Sequence, residues 1–99
     1  MTVNSDMKNR IFRKTEHVVS REIAGETLLV PIRGKLADMQ NVFALNPVAR
    51  HIWDELDGTR TLGEIRDGIL ARFDVGPEAA DADLAEFIGK LLEVRLIIA

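Results

Sequence analysis

Asn41-Val42-Phe43-Ala44-Leu45-Asn46-Pro47-Val48-Ala49-Arg50-His51-Ile52-Trp53-Asp54-Glu55-Leu56-Asp57-Gly58 changes its hydrophobic period in the middle. Val42 to Leu45 is a short apolar run of strand type. Asn46 offers a side-chain oxygen to cap a helix, and Pro47 brings a φ already set for the first helical turn, where a missing N–H costs nothing. Beyond it the apolar positions move to helical spacing, with Val48, Ala49, Ile52, Trp53 and Leu56 on one face. Asp57-Gly58 predicts the end of that helix, because glycine accepts a left-handed conformation at low cost. The stretch therefore joins a strand to a helix almost without a loop.

Upstream, Val18 to Ile23 reads as a first strand and Thr27 to Ile32 as a second, with Leu28, Val30 and Ile32 on one face. Ala24-Gly25 between them predicts a turn, and the short spacing makes the pair an antiparallel hairpin. Pro31 has no N–H for the ladder, so it marks the strand's end or an outward position. Arg33 to Gln40 is a loop, and Val42 to Leu45 is the third strand.

Downstream, Thr61 with Glu64 three residues later forms a capping box for a second helix. Leu62, Ile65, Ile69, Leu70 and Phe73 are its buried stripe. Gly76-Pro77 breaks the chain, and a third helix is expected from about Asp81 to Val94, with Leu84, Phe87, Ile88, Leu91 and Leu92 at helical spacing. Gly68 and Gly89 fall inside helices, at about 1 kcal/mol each relative to alanine. Leu96-Ile97-Ile98 is suited to packing on the core or adding a short strand. The order β-β-β-α-α-α predicts an α+β, winged-helix-like domain, a three-stranded antiparallel sheet followed by three helices. Residues 1–9 are expected to be a flexible leader and 10–99 a single domain.

Composition narrows the function. The 99 residues suit one small domain, and 46% hydrophobic content suffices for one core. There is no cysteine, which removes disulfides, thiolate nucleophiles and zinc–thiolate sites. No stretch approaches the roughly 20 apolar residues of a membrane span, and Met1 to Lys14 lacks the apolar core of a secretory signal. A cytoplasmic protein without membrane contact is the expectation. Residues 1–22 carry net +2, residues 23–45 net 0 and residues 46–99 net −5. An acidic helical half weighs against nucleic acid as a partner.

Catalytic chemistry is sparse. The histidines are His17 and His51. His51 and Glu55 share a helix face, but with no third ligand the reading taken is a solvated histidine beside a carboxylate, not a metal site. No P-loop, Gly-x-Ser-x-Gly or Gly-x-Gly-x-x-Gly pattern occurs. Asp81, Asp83 and Glu86 read as acids favoured near a helix N-terminus rather than as an acid–base pair. Trp53, Phe73 and Phe87 default to core, and so does Phe43, although an edge strand gives Phe43 a second possible role. No catalytic residue, metal site or cofactor is assigned.

With these elements placed, the sequence resembles the PqqD-like family of small peptide-binding proteins, also called RiPP recognition elements. The match runs from about residue 17 to 98. Arg21 to Ile32 resembles the family's opening hairpin, and Phe43-Ala44-Leu45-Asn46 its strand ending in Leu-Asn. Ile52-Trp53, Asp57-Gly58-Thr59-Arg60-Thr61-Leu62 and Glu64-Ile65 resemble its helix, Asp-Gly turn and capped second helix. Asp83 to Ile97 resembles its closing helix and apolar tail. The resemblance implies a non-catalytic adaptor that binds the leader of a ribosomally made precursor peptide and presents it to a modifying enzyme, a radical S-adenosylmethionine enzyme in the namesake pathway of pyrroloquinoline quinone biosynthesis. It also implies a peptide added as a strand beside the third strand and lying against the third helix. On this chain the candidate residues are Val42, Phe43, Ala44 and Leu45 on the edge, and Asp83, Leu84, Phe87, Ile88, Lys90 and Leu91 on the helix. Helical spacing leaves open which of these helix residues face the core. A winged-helix DNA-binding regulator and a module that dimerises through the open edge are the alternatives.

Overall fold

In the computed structural model the Asn46 side chain accepts a hydrogen bond from the Ala49 N–H at 2.8 Å, and Pro47 opens the helix. The structure describes residues 5–32 and 43–99. Val42 and the expected loop from Arg33 to Gln40 lie outside the described residues. In chain order the elements are α1 (Ser5–Lys8), β1 (Ile11–Lys14), β2 (Val18–Ile23), β3 (Glu26–Pro31), β4 (Phe43–Leu45), α2 (Pro47–Glu55), β5 (Asp57–Thr61), α3 (Leu62–Arg72), α4 (Pro77–Glu93) and β6 (Ile97–Ile98). The fold is α+β, as expected, but the strands form two three-stranded antiparallel sheets, β2-β3-β4 and β5-β1-β6.

The first sheet is the expected one. Ala24 and Gly25 both have positive φ, +53° and +83°, which a two-residue hairpin turn between twisted strands requires. β4 lies antiparallel to β3 with Leu45 opposite Thr27 and Phe43 opposite Leu29. That register fixes which face of β3 is the inner one. Cross-strand partners share a face, so the side of β3 that packs on the helices is the side of Phe43 and Leu45. It carries Thr27, Leu29 and Pro31, all buried. Leu28 and Val30 take the other side half-buried, and Ile32 stands beyond the strand, 47% exposed.

The second sheet was not expected. β1 contributes the buried Phe12, and Leu96 together with Ile97 of β6 closes the core. Asp57-Gly58 does not end α2. Leu56 is its C-cap, with its N–H donating to the Trp53 carbonyl at 3.2 Å, and Asp57 already belongs to β5. Ile11 faces Thr61 and Arg13 faces Asp57, so β5 has two extra residues over this span and bulges. Gly58, at φ +84°, supplies the bend, and a Cβ there would sit 3.4 Å from the Arg13 Cβ.

The helices follow their caps. At α3 the Thr61–Glu64 capping box closes in both directions. The start of α4 moves from the expected Asp81 back to Pro77, because proline at the first helical position is favourable and Gly76 takes the N-cap. Arg66 and Asp81 form an ion pair that ties α3 to α4. Trp53 lies in the core, with Lys14 Nζ 5.1 Å from its ring centroid. Burial holds the Lys14 pKa below the usual lysine value, against the opposing pull of Asp54, Asp57 and Glu55. The expected leader includes the helical turn α1, whose Lys8 carbonyl lies 3.3 Å from where a Cβ on Gly63 would stand.

Candidate functional site

β4 is only three residues long and pairs on one side alone among the described residues. Its outer edge offers backbone N–H and C=O groups to another strand. Phe43 and Leu45 are half-buried against the core, whereas Ala44 is exposed. Beside this edge a groove of about 390 Å³ opens between β4, the first turns of α2 and the middle of α4. Ile52 lies at its base, nearly fully buried, with Val48 and Ala49 above it on α2. Asp83, Glu86, Phe87 and Lys90 form the opposite wall. They sit at i, i+3, i+4 and i+7, which is one helix face.

The structure divides the ten candidates into three groups. Phe43, Ala44, Leu45, Asp83, Phe87 and Lys90 come together around the groove. Leu84, Ile88 and Leu91 do not: each has 0% exposure and belongs to the core. The physical reason is rotation about the helix axis, since 84, 88 and 91 form a stripe of their own that packs on α2 and α3, and the next stripe turns outward. Val42 lies outside the described residues. Glu86, Asn46, Val48, Ala49 and Ile52 were missed. Once 84, 88 and 91 are assigned to the core, the adjacent face 83, 86, 87, 90 is readable from spacing alone, which would have found Glu86.

Charge on the α4 wall is lopsided. Lys90 Nζ lies 3.3 Å from Glu86 Oε1, an i, i+4 pair with the acid N-terminal to the base. Asp83 is exposed and has no ion-pair partner among the described residues. Across the whole of α4, five acidic side chains stand against one lysine, which disfavours the DNA-binding alternative.

A second, smaller cavity of about 270 Å³ is lined by His51, Glu55, Arg60, Glu64, Gly68 and Arg72. It corrects the reading of His51 as solvated. The ring is 7% exposed, edge-on to Phe73 at 5.9 Å between centroids, and packed over Gly68. Its Nε2 is buried without a hydrogen-bond partner among the described residues. Glu55 is ion-paired to Arg60. No group of three or more metal-ligating side chains occurs among the described residues, and no described helix is long and apolar enough to cross a membrane.

Known proteins share this architecture. TbiB1, solved in complex with the TbiA(beta) leader peptide, is 27% identical, with a TM-score of 0.68 over 86% of this chain and 93% of that one. A lasso peptide synthetase B1, solved with its leader peptide, shares the fold at 17% identity, with a TM-score of 0.73 over 91% of this chain and 100% of that one. No curated protein sequence matches. The family model for coenzyme PQQ synthesis protein D matches residues 26–97, which include β3, β4, the groove and all three long helices, and the chain belongs to the PqqD family.

Proposed function

We propose that the protein is a non-catalytic adaptor that binds the leader segment of a ribosomally made precursor peptide and presents it to a modifying enzyme in the cytoplasm. The observation that carries this reading is the pairing of a strand edge, unpaired among the described residues, with a groove of apolar floor and charged rim. A peptide laid along β4 gains main-chain hydrogen bonds, and its alternate side chains enter the groove between Phe43, Val48, Ile52 and Phe87. Membership of the PqqD family and the 27% identical TbiB1, solved with a leader peptide, support it. The partner enzyme is, on this reading, a radical S-adenosylmethionine enzyme, as in the family's namesake pathway.

Titration of the isotope-labelled protein with leaders of short precursor peptides encoded beside its gene tests the site. Amide shifts are expected at Phe43–Leu45 and along Asp83–Lys90. Saturable binding that leaves both segments unmoved would place the peptide elsewhere. Co-purification with the neighbouring radical enzyme, dependent on the peptide, tests the partner. The same open edge favours a second reading, pairing of two copies through β4. Light scattering across concentration separates the two, since a dimer through this edge dissociates when peptide is added.

A further inference from the structure

We propose that Asp83 sets the charge preference of the groove, so that the docking segment of the peptide carries a lysine or arginine beside its apolar anchors. This rests on the docking reading above and adds to it the chemistry of the occupant. The groove is apolar at its base and charged along its α4 rim. Of the three charged side chains on that rim, Glu86 and Lys90 already satisfy one another at 3.3 Å. An acidic peptide side chain reaching for Lys90 shares the ammonium with Glu86, whose like charge offsets part of the attraction, so its net gain is small. Asp83 has no such partner among the described residues. The neighbouring acid Asp81 is committed to Arg66 on the inner side of α4. The open charge of the groove is thus negative and located at Asp83.

Geometry limits where the basic residue lies. Asp83 and Lys90 are seven residues apart, about 10 Å along the helix axis. An extended peptide covers that distance in about three residues. A basic side chain at Asp83 therefore falls within about three residues of the apolar side chain that meets Phe87, which lies one turn further along the wall.

Selection of a displayed library of random dodecapeptides on the full chain, on Asp83→Lys and on Glu93→Lys tests this. Glu93 carries the same charge on α4 but does not line the groove. Wild-type and Glu93→Lys pools are expected to share a lysine or arginine at one position within about three residues of an apolar pair. The Asp83→Lys pool is expected to carry aspartate or glutamate there. A synthetic peptide from the wild-type pool should bind Asp83→Lys about fivefold to tenfold more weakly, and its basic-to-acidic variant should recover that loss. Equal composition at that position in all three pools overturns the role of Asp83 while leaving peptide docking intact. A shift in the Glu93→Lys pool as large as in the Asp83→Lys pool also overturns it, by showing general charge attraction. Pools whose peptides leave the Phe43–Leu45 amides unshifted overturn both this inference and the docking reading.

Discussion

Replacing Gly68 by alanine puts a methyl group 2.7 Å from His51 Nε2 and 3.1 Å from its Cε1. The first distance is too short for a carbon and the second is tight, so the ring has to move. It is 7% exposed and held edge-on by Phe73, and turning it toward the neighbouring cavity gives up that contact. Overpacking of this kind costs about 1–3 kcal/mol, whereas glycine to alanine in a helix interior gains about 1 kcal/mol from propensity. Gly89 in α4 supplies the control, because a Cβ there meets nothing within 4 Å. The propensity gain is common to both sites, so the stability difference between Gly68→Ala and Gly89→Ala isolates the His51 contact at about 1–3 kcal/mol. For a domain of this size each kcal/mol shifts Tm by about 4–8 °C. Gly89→Ala is expected to melt above the wild type and Gly68→Ala at least about 4 °C below Gly89→Ala. In a His51→Ala background the gap should close. Gly68→Ala melting level with Gly89→Ala while His51 is intact would refute the packing reading of the helix contact.

Other outcomes are open to similar measurement. Leu84→Ala should cost about 2–5 kcal/mol in urea unfolding, because the side chain is fully buried. Phe87→Ala should cost less stability yet weaken peptide binding by about tenfold or more, as loss of a groove anchor does. Asn46→Ala removes the cap of α2 and should lower stability by about 1 kcal/mol. Hydrogen bonds from the Thr59 hydroxyl and then the Thr59 N–H, helped by Arg60, hold the Asp57 pKa below its usual 3.8. Its contribution to stability is therefore present above pH 3.8 and lost as the pH falls through the lower folded-state value. The stability gap between wild type and Asp57→Asn should narrow on acidification, and a gap that widens toward low pH would contradict the sign.

What could be read in advance followed the reach of each signal. Caps act within four residues, so Asn46-Pro47 and Thr61 with Glu64 announced two helix starts that the structure keeps. The hairpin from Val18 to Pro31 was legible for the same reason, since its turn lies between its strands. The second sheet depends on partners far apart in sequence. Ile11–Lys14 has a single buried aromatic among basic residues, and its pairing with residues 57–61 and 97–98 leaves no local mark. Gly58 looked like a helix stop because a positive φ serves either a C-cap or a bulge. At the groove, period alone gave the helix but not its rotation. Leu84 and Phe87 look alike in the sequence, yet the first is in the core and the second on the wall.

That rotation of α4 has a consequence for how such proteins diversify. Positions 84, 88 and 91 are tied to the core, while 83, 86 and 90 are exposed along the groove. The demands of folding and of recognition thus fall on different residues of one helix. Substitutions at 83, 86 and 90 exchange one partner for another at little cost to the scaffold, as surface changes usually stay within about 0.5 kcal/mol. A single fold can acquire new peptide preferences by rewriting one stripe of one helix, one residue at a time, through intermediates that all remain folded.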